Sequence, residues 1–269
     1  METVYFLTQH EKAVIVAPVL ASLGYEIKET RFLDTDSLGT FTGDVKRFDT
    51  QVNTAIEKAR LAAQHHGARF GLGSEGSFGP DPYMGVSPWN TEVLALWDAE
   101  KNYAVHAAAQ GPLTNYAQLE AENAEQAWQF VQRAGFPEHG IIVGRAEEPW
   151  FDKEIRDPAV LKATIEAIIA ETGAVWLETD MRAHRNPSRH AMIRQAAEAL
   201  AQRLASACPV CQAAGFGAVA LVPGALCEEC GTATQAARAR RMACPLCGHS
   251  EEQVIRSHVP ASQCEDCNP

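Results

Sequence analysis

The chain has 269 residues, 46% of them hydrophobic, with 34 acidic against 23 basic side chains and a formal net charge of −11. That length and apolar content support a sizeable packed core. The acidic balance argues against nucleic acid as a partner, because phosphate neutralisation needs a lysine- and arginine-rich surface. The opening METVYFLTQHEK lacks the basic segment and apolar run of a signal peptide, and no apolar run reaches membrane-spanning length, so the expected location is the cytoplasm with no membrane association.

The first 206 residues alternate strand-like and helix-like patterns. Val4–Thr8 reads as a strand, Glu11–Leu23 as a helix and Glu26–Phe32 as a second strand. A Gly- and Asp-rich loop, Asp34–Asp44, precedes a helix over Asp49–His66 that Gly67 stops. RFGLGSEGSFGP reads as a short strand entering a glycine-rich turn, and Glu92–Ala108 as a hairpin turning at AEKN. A helix follows over about Asn123–Ala134, then a strand at Gly140–Val143. Asp157 and Pro158 supply an N-cap and a first-turn proline for a helix ending at Gly173. Val175–Glu178 is a strand, and Ser188 is placed to cap a last helix reaching about Ser206. This alternation predicts an α/β fold, a three-layer domain with a central mixed sheet over residues 1–206.

All eight cysteines follow Ala207 and form four Cys-x-x-Cys pairs: Cys208/Cys211, Cys227/Cys230, Cys244/Cys247 and Cys264/Cys267. Fifteen and sixteen residues separate the members of the first and second couples of pairs, the spacing of four-cysteine zinc sites. A reducing cytosol disfavours disulfides. Residues 207–269 are therefore expected to form a double zinc ribbon with two structural Zn2+ ions. Sequential pairing, with one site in 207–231 and the other in 243–269, is the simpler arrangement; crossed pairing is the alternative. The tail carries four arginines, with Arg238, Arg240 and Arg241 clustered, against six acidic residues, which again disfavours a nucleic-acid ribbon.

Three polar segments of the N-terminal part are candidates for chemistry. Thr8, His10 and Lys12 lie in a strand-to-helix turn suited to an anion, although capping by Thr8 explains them equally well. Ser74, Glu75 and Ser77 lie among glycines, where Glu75 suits a hard-metal ligand or general base. Asp180, Arg182 and Arg189 follow the VWLE strand, where Arg182 and Arg189 are placed to grip phosphate or carboxylate; Asp180 and Arg182 could instead simply pair with each other. His184, His190 and the doublet His65–His66 read as surface or helix-end histidines.

The segments DTDSLGTFTGD, SEGSFGP and ETDMRAHRNPSR, with the terminal double ribbon, resemble an uncharacterised prokaryotic family, a domain of unknown function, over nearly the whole chain. More distantly, the N-terminal part is similar to the inosine/xanthosine triphosphate pyrophosphatase superfamily. The matching features are Thr8, His10 and Lys12 after the first strand, Ala55, Lys58 and Ala59 on a helix, Glu75 in an acidic glycine-rich segment before a hairpin, and Arg189 opening the last helix. The sequence departs from that superfamily's pattern in the spacing of Lys12, in His10 where asparagine is usual, and in an extra region at about 123–173. The resemblance implies Lys12 and Arg189 as phosphate binders, Glu75 as metal ligand or base, and Mg2+-assisted cleavage of a nucleotide. The expectation is a metal-dependent hydrolase of phosphoanhydrides with catalytic Glu75, Lys12 and Asp180, and with Thr8, His10, Lys12, Ser74, Ser77, Arg182 and Arg189 on the ligand. The alternative is a non-catalytic zinc-ribbon protein that recognises an anionic ligand, a protein or a nucleic acid.

Overall fold

The computed structural model describes residues 1–33, 50–145 and 150–268. The Asp34–Asp44 loop lies outside the described residues. Five strands form the first sheet: β1 (Glu2–Leu7), β2 (Tyr25–Thr30), β3 (Phe70–Pro80), β4 (Pro88–Asp98) and β5 (Tyr103–Gly111), in the order β2-β1-β3-β4-β5. The β2-β1-β3 part is parallel and the β3-β4-β5 part antiparallel, so the sheet is mixed.

Helices cover both faces. Helix α1 (Ala13–Ala21) and helix α5 (Arg189–Leu204) pack on one side, where Val16, Leu20, Ile193 and Leu200 meet Phe6, Leu72, Leu94 and Leu96. Helix α2 (Gln51–His66) covers the other side, with Ala55, Val52 and Ile56 against Val93 and Ala95. The Thr50 hydroxyl caps α2 by accepting from the Asn53 amide, and Gly67 ends it in a left-handed conformation at φ 58°.

The glycine-rich segment differs from its expected form. It is an eleven-residue strand throughout, not a short strand entering a turn. Its glycines serve helix packing: a Cβ at Gly71 would lie 1.9 Å from the Ala59 carbonyl oxygen, and one at Gly73 would lie 2.1 Å from that of Ala55. Glycine here lets α2 approach the sheet backbone to a distance no side chain permits.

The region between β5 and α5 forms a second sheet. Strands β6 (Gln118–Ala121), β7 (Ile141–Gly144), β8 (Phe151–Asp152) and β9 (Val175–Thr179) run in the order β6-β9-β7-β8, all antiparallel. Helices α3 (Ala124–Ala134) and α4 (Pro158–Thr172) pack on it around Phe130, Val131, Leu161, Ile165 and Leu177. Asp157 caps α4 through the Ala159 and Val160 amides and Pro158 opens it, as the sequence predicts. The α/β part therefore holds two sheets with separate cores, where the sequence suggested one central sheet.

The tail is built from β10 (Gly217–Pro223), β11 (Leu226–Cys227), β12 (Ala237–Ala243), β13 (Ser250–Val254) and β14 (His258–Val259), in a β10-β12-β13 sheet and a β11-β14 pair. It is seated on the first sheet. Cys208, Ala213 and Cys244 are buried in one cluster with Val105, Leu200 and Leu204. The Tyr103 hydroxyl donates to the Ala214 carbonyl at 3.3 Å, and Arg203 reaches the His106 and Gly215 carbonyls at 2.8 and 3.1 Å. No helix among the described residues is long and apolar enough to cross a membrane.

Candidate functional site

The first connection, β1 to β2, runs through α1 on one face, and the next, β2 to β3, returns through α2 on the other. The sheet order reverses between β1 and β3, which makes their carboxyl ends a topological switch point, where open α/β sheets place ligands. Strand β1 ends at Leu7 beside Gly73, while β3 continues to Pro80. The β1–α1 turn, Thr8 to Lys12, therefore opens beside Ser74. Its backbone is unusual: Glu11 has a left-handed φ of 58°.

Two lysines reach this point from opposite faces. Lys12 donates to the Ser74 hydroxyl at 3.0 Å and lies 3.6 Å from the Glu92 carboxylate. Lys58, from α2, pairs with Glu75. Ser74 and Glu75 are consecutive on β3, so their side chains point to opposite faces. The register agrees: Ser74 pairs with Leu94 on the α5 side, and Glu75 with Val93 on the α2 side. Arg189, at the start of α5, grips Glu92 with Nε and Nη2, the latter at 3.0 Å, and donates through Nη1 to the Met181 carbonyl. Its guanidinium also stands 5.1 Å above the Phe78 ring centroid, and a Cβ at Gly76 would strike it at 2.1 Å.

All these polar groups are buried: Thr8, Lys12, Lys58, Ser74, Glu75, Glu92 and Arg189. Burial and then the Arg189 guanidinium lower the Lys12 ammonium to about 8, against the pull of Glu92 and Glu75. His10 stacks on His184 with ring centroids 5.3 Å apart. Burial, followed by Lys12 and His184, pushes His10 down to about 2, so its imidazole is neutral. The Nδ1 atoms of both rings are buried with no hydrogen-bond partner among the described residues.

The structure thus brings Thr8, His10, Lys12, Ser74, Glu75 and Arg189 to one end of the sheet. Ser77 lies farther along β3, on the α2 side. Asp180, on the segment that carries Met181 and His184, is engaged: its carboxylate accepts from the Arg182 backbone amide at 3.0 Å and from Arg182 Nη2 at 2.7 Å. Arg182 also bonds Glu154 at 2.6 Å. These contacts clasp the segment that links the second sheet to α5. Ser188 does not cap α5; it bonds His139 Nε2 at 2.7 Å. His65 and His66 stack on Phe32 and Tyr5, each pair with centroids 3.8 Å apart. Glu92 was missed by sequence reasoning. Its signal is a carboxylate in register with Leu94 and Leu96 on the core face of an apolar strand, a position that demands a buried partner.

The cysteines form two four-thiol clusters, Cys208/Cys211/Cys244/Cys247 and Cys227/Cys230/Cys264/Cys267. This overturns sequential pairing in favour of crossed pairing. The strand register supplies the reason: Gly217 pairs with Ala243, which returns the third knuckle to the first, and Cys227 pairs with Val259, which brings in the fourth. Between knuckles, Cys211–Cys244 and Cys208–Cys247 have Sγ–Sγ distances of 3.6 and 3.8 Å, and Cys230–Cys264 and Cys227–Cys267 of 3.6 and 3.9 Å. A tetrahedron with Zn–S bonds near 2.3 Å has S–S edges of about 3.8 Å, so both clusters fit zinc, with no ligand position left open. The eight thiols form no disulfide.

Residues 58–269, with both thiol clusters and the Glu75, Glu92 and Arg189 positions, match the model of a family described as a domain of unknown function, DUF6671. The chain belongs to this family. No curated protein matches it. The DUF6671 match begins at Lys58 and so leaves out β1, α1 and Lys12.

Proposed function

We propose that the α/β part binds a phosphate-bearing anion, a nucleotide or another phosphoanhydride, at the β1/β3 switch point, and that two structural zinc ions hold the tail together. One observation carries this reading: Lys12 and Lys58, rooted on opposite faces, end on the consecutive residues Ser74 and Glu75. Two ammonium groups flanking β3 where the parallel strands end give a local positive field that suits a ligand with several negative oxygens. The test is titration with tripolyphosphate and nucleoside triphosphates. Expected is saturable binding that Lys12→Met and Lys58→Met each weaken at least about tenfold, as loss of a charge-assisted contact does. No binding of any polyphosphate would sink the proposal.

Hydrolysis is the reaction that the grouping of Lys12, Glu75 and Arg189 supports. Among the described residues, however, Glu75 is held by Lys58 and Glu92 by Arg189, and the only groups of three or more metal-ligating side chains are the two cysteine clusters. The described carboxylates do not form a ready magnesium site. This favours recognition without turnover unless Glu75 leaves Lys58. Phosphate release that depends on Glu75 would establish the hydrolase; tight binding without product would establish the non-catalytic alternative.

A further inference from the structure

The β10-β12-β13 sheet of the tail has two edges of opposite character. One is β13, SEEQV, which carries Glu251 and Glu252. Charged side chains on an edge strand keep other strands from pairing with it. The other is β10, GAVALVP, with no charged or hydrogen-bonding side chain in its length. Ala218, Val219, Ala220 and Leu221 are exposed in succession, Val219 at 51% and Leu221 at 66%. Side chains along a strand point to its two faces in turn, so neither face of β10 is covered. Apart from the ladder with β12, no backbone hydrogen bond reaches Ala218–Val222 from the described residues. An edge strand turns part of its N–H and C=O groups outward, and their natural complement is the backbone of another strand. Two edges of the first sheet are managed differently. Strand β2 carries Glu26, Lys28 and Glu29, and β5 is engaged by Arg203 at the His106 carbonyl and by the tail at Tyr103.

Charge and symmetry define the occupant. Behind β10, Arg241 stands opposite Ala220 and Arg240 opposite Leu221. Arg241 is in register with Glu252, and Arg238 bonds Glu252 at 2.7 Å. The three arginines of β12 against the two glutamates of β13 leave this sheet close to neutral, with little to attract an acidic or basic segment. An uncharged apolar strand is what this edge accepts, and the chain itself supplies one in β10 of a second copy. Antiparallel pairing about Ala220 would set Val219 beside Leu221 of the partner subunit, and Ala218 beside Val222 of the partner subunit, on both sides of a two-fold axis. The two copies' β12 strands would then lie three strand spacings apart, about 14 Å, beyond the screening length of about 8 Å at physiological salt, so their arginines would not repel. The register shift between Ala218 and Ala220 and the proline at 223 confine the free edge to a short stretch. The glutamates of β13 on each outer edge stop further growth, so the assembly closes at two.

We propose that the chain forms a two-fold dimer in which β10 pairs antiparallel with β10 of a second copy and continues the tail sheet across the axis. The dimer does not depend on the anion site. So short a contact belongs to the small, weak class of interfaces, which makes the dimer sensitive to concentration.

Sedimentation velocity of the zinc-loaded full chain over a wide range of concentration should show a monomer–dimer equilibrium. Leu221→Lys puts a charge on the edge and should weaken dimerisation at least about tenfold. Leu221 faces solvent, so this variant should keep its zinc and the melting temperature of the dilute parent. Hydrogen exchange of the unmodified chain reads the same interface without a variant: amides within Ala218–Val222 should gain protection as concentration rises. A chain that stays monomeric across the range overturns the proposal. So does a dimer that Leu221→Lys leaves intact, or one that gives those amides no added protection, because either is built on another surface.

Discussion

Arg189 and Glu92 form an ion pair whose two side chains are wholly shielded from solvent, 97 residues apart in sequence. The pair joins the first turn of α5 to the middle of β4. Through the Met181 carbonyl it also ties the first sheet to the segment leaving the second. Separating such charges leaves one buried without compensation, at a cost of roughly 3–5 kcal/mol. Glu92→Leu and Arg189→Met should each lower chemical-unfolding stability on that scale. The double variant Glu92→Leu/Arg189→Met should lose clearly less than the sum of the two single changes. Additive losses would show that the two groups are not energetically coupled.

The contrast between Gly73 and Gly79 tests the packing of α2. Both lie on the same face of β3, but only Gly73 meets the helix backbone. Gly73→Ala should force α2 outward and cost about 1–3 kcal/mol, as overpacking does. Gly79→Ala should stay within about 0.5 kcal/mol of the parent, as open surface positions do. Equal effects in thermal unfolding would mean that α2 does not sit as closely as described.

The sequence showed the elements better than their partners. The Glu92–Ala108 hairpin, the Gly67 stop of α2 and the Asp157 cap follow from local periodicity and capping chemistry, and they reappear in the structure. The second sheet was not legible because its strands are two to five residues long, too short for a period, and their neighbours are set by distant contacts. The Gly71–Gly79 segment misled because glycine marks both turns and close helix approach, and only the position of α2 decides between them. In the candidate site, Lys12, Glu75 and Arg189 stood out by type and place. The opposite facing of Ser74 and Glu75 needed the register, and Glu92 needed its buried partner.

The proposed anion site should depend on pH through Lys12. Its folded value of about 8 lies below the 10.5 of an ordinary lysine. Below about 8 the ammonium is charged in both folded and unfolded chains, and its burial penalty is fully present. Between about 8 and 10.5 the unfolded chain holds the extra proton, so stability should rise with pH across that window. Anion binding should run the other way and weaken as pH rises through about 8. His10 stays neutral throughout and adds nothing to the profile. Affinity for tripolyphosphate measured from pH 6 to 9.5 should show this fall, and Lys12→Met should flatten it. A profile unchanged by Lys12→Met would remove Lys12 from the site.

Metal stoichiometry distinguishes the two ways of pairing the knuckles. With crossed pairing, changing Cys208, Cys211, Cys244 and Cys247 together to alanine removes one complete cluster and leaves the other intact. One zinc per chain should remain, where sequential pairing would leave no complete site. The converse variant, at Cys227, Cys230, Cys264 and Cys267, should also retain one. The two variants should differ in their effect on the α/β part. Cys208 and Cys244 are packed with Val105 and Leu204, so losing their ion should loosen the α5–β5 seam and lower the stability of the first sheet. The second cluster has no cysteine in that core, so its loss should leave the stability of the α/β part near that of the parent. Elemental analysis with hydrogen exchange of the β5 amides reads both outcomes. Absence of metal from both variants would restore the sequential arrangement.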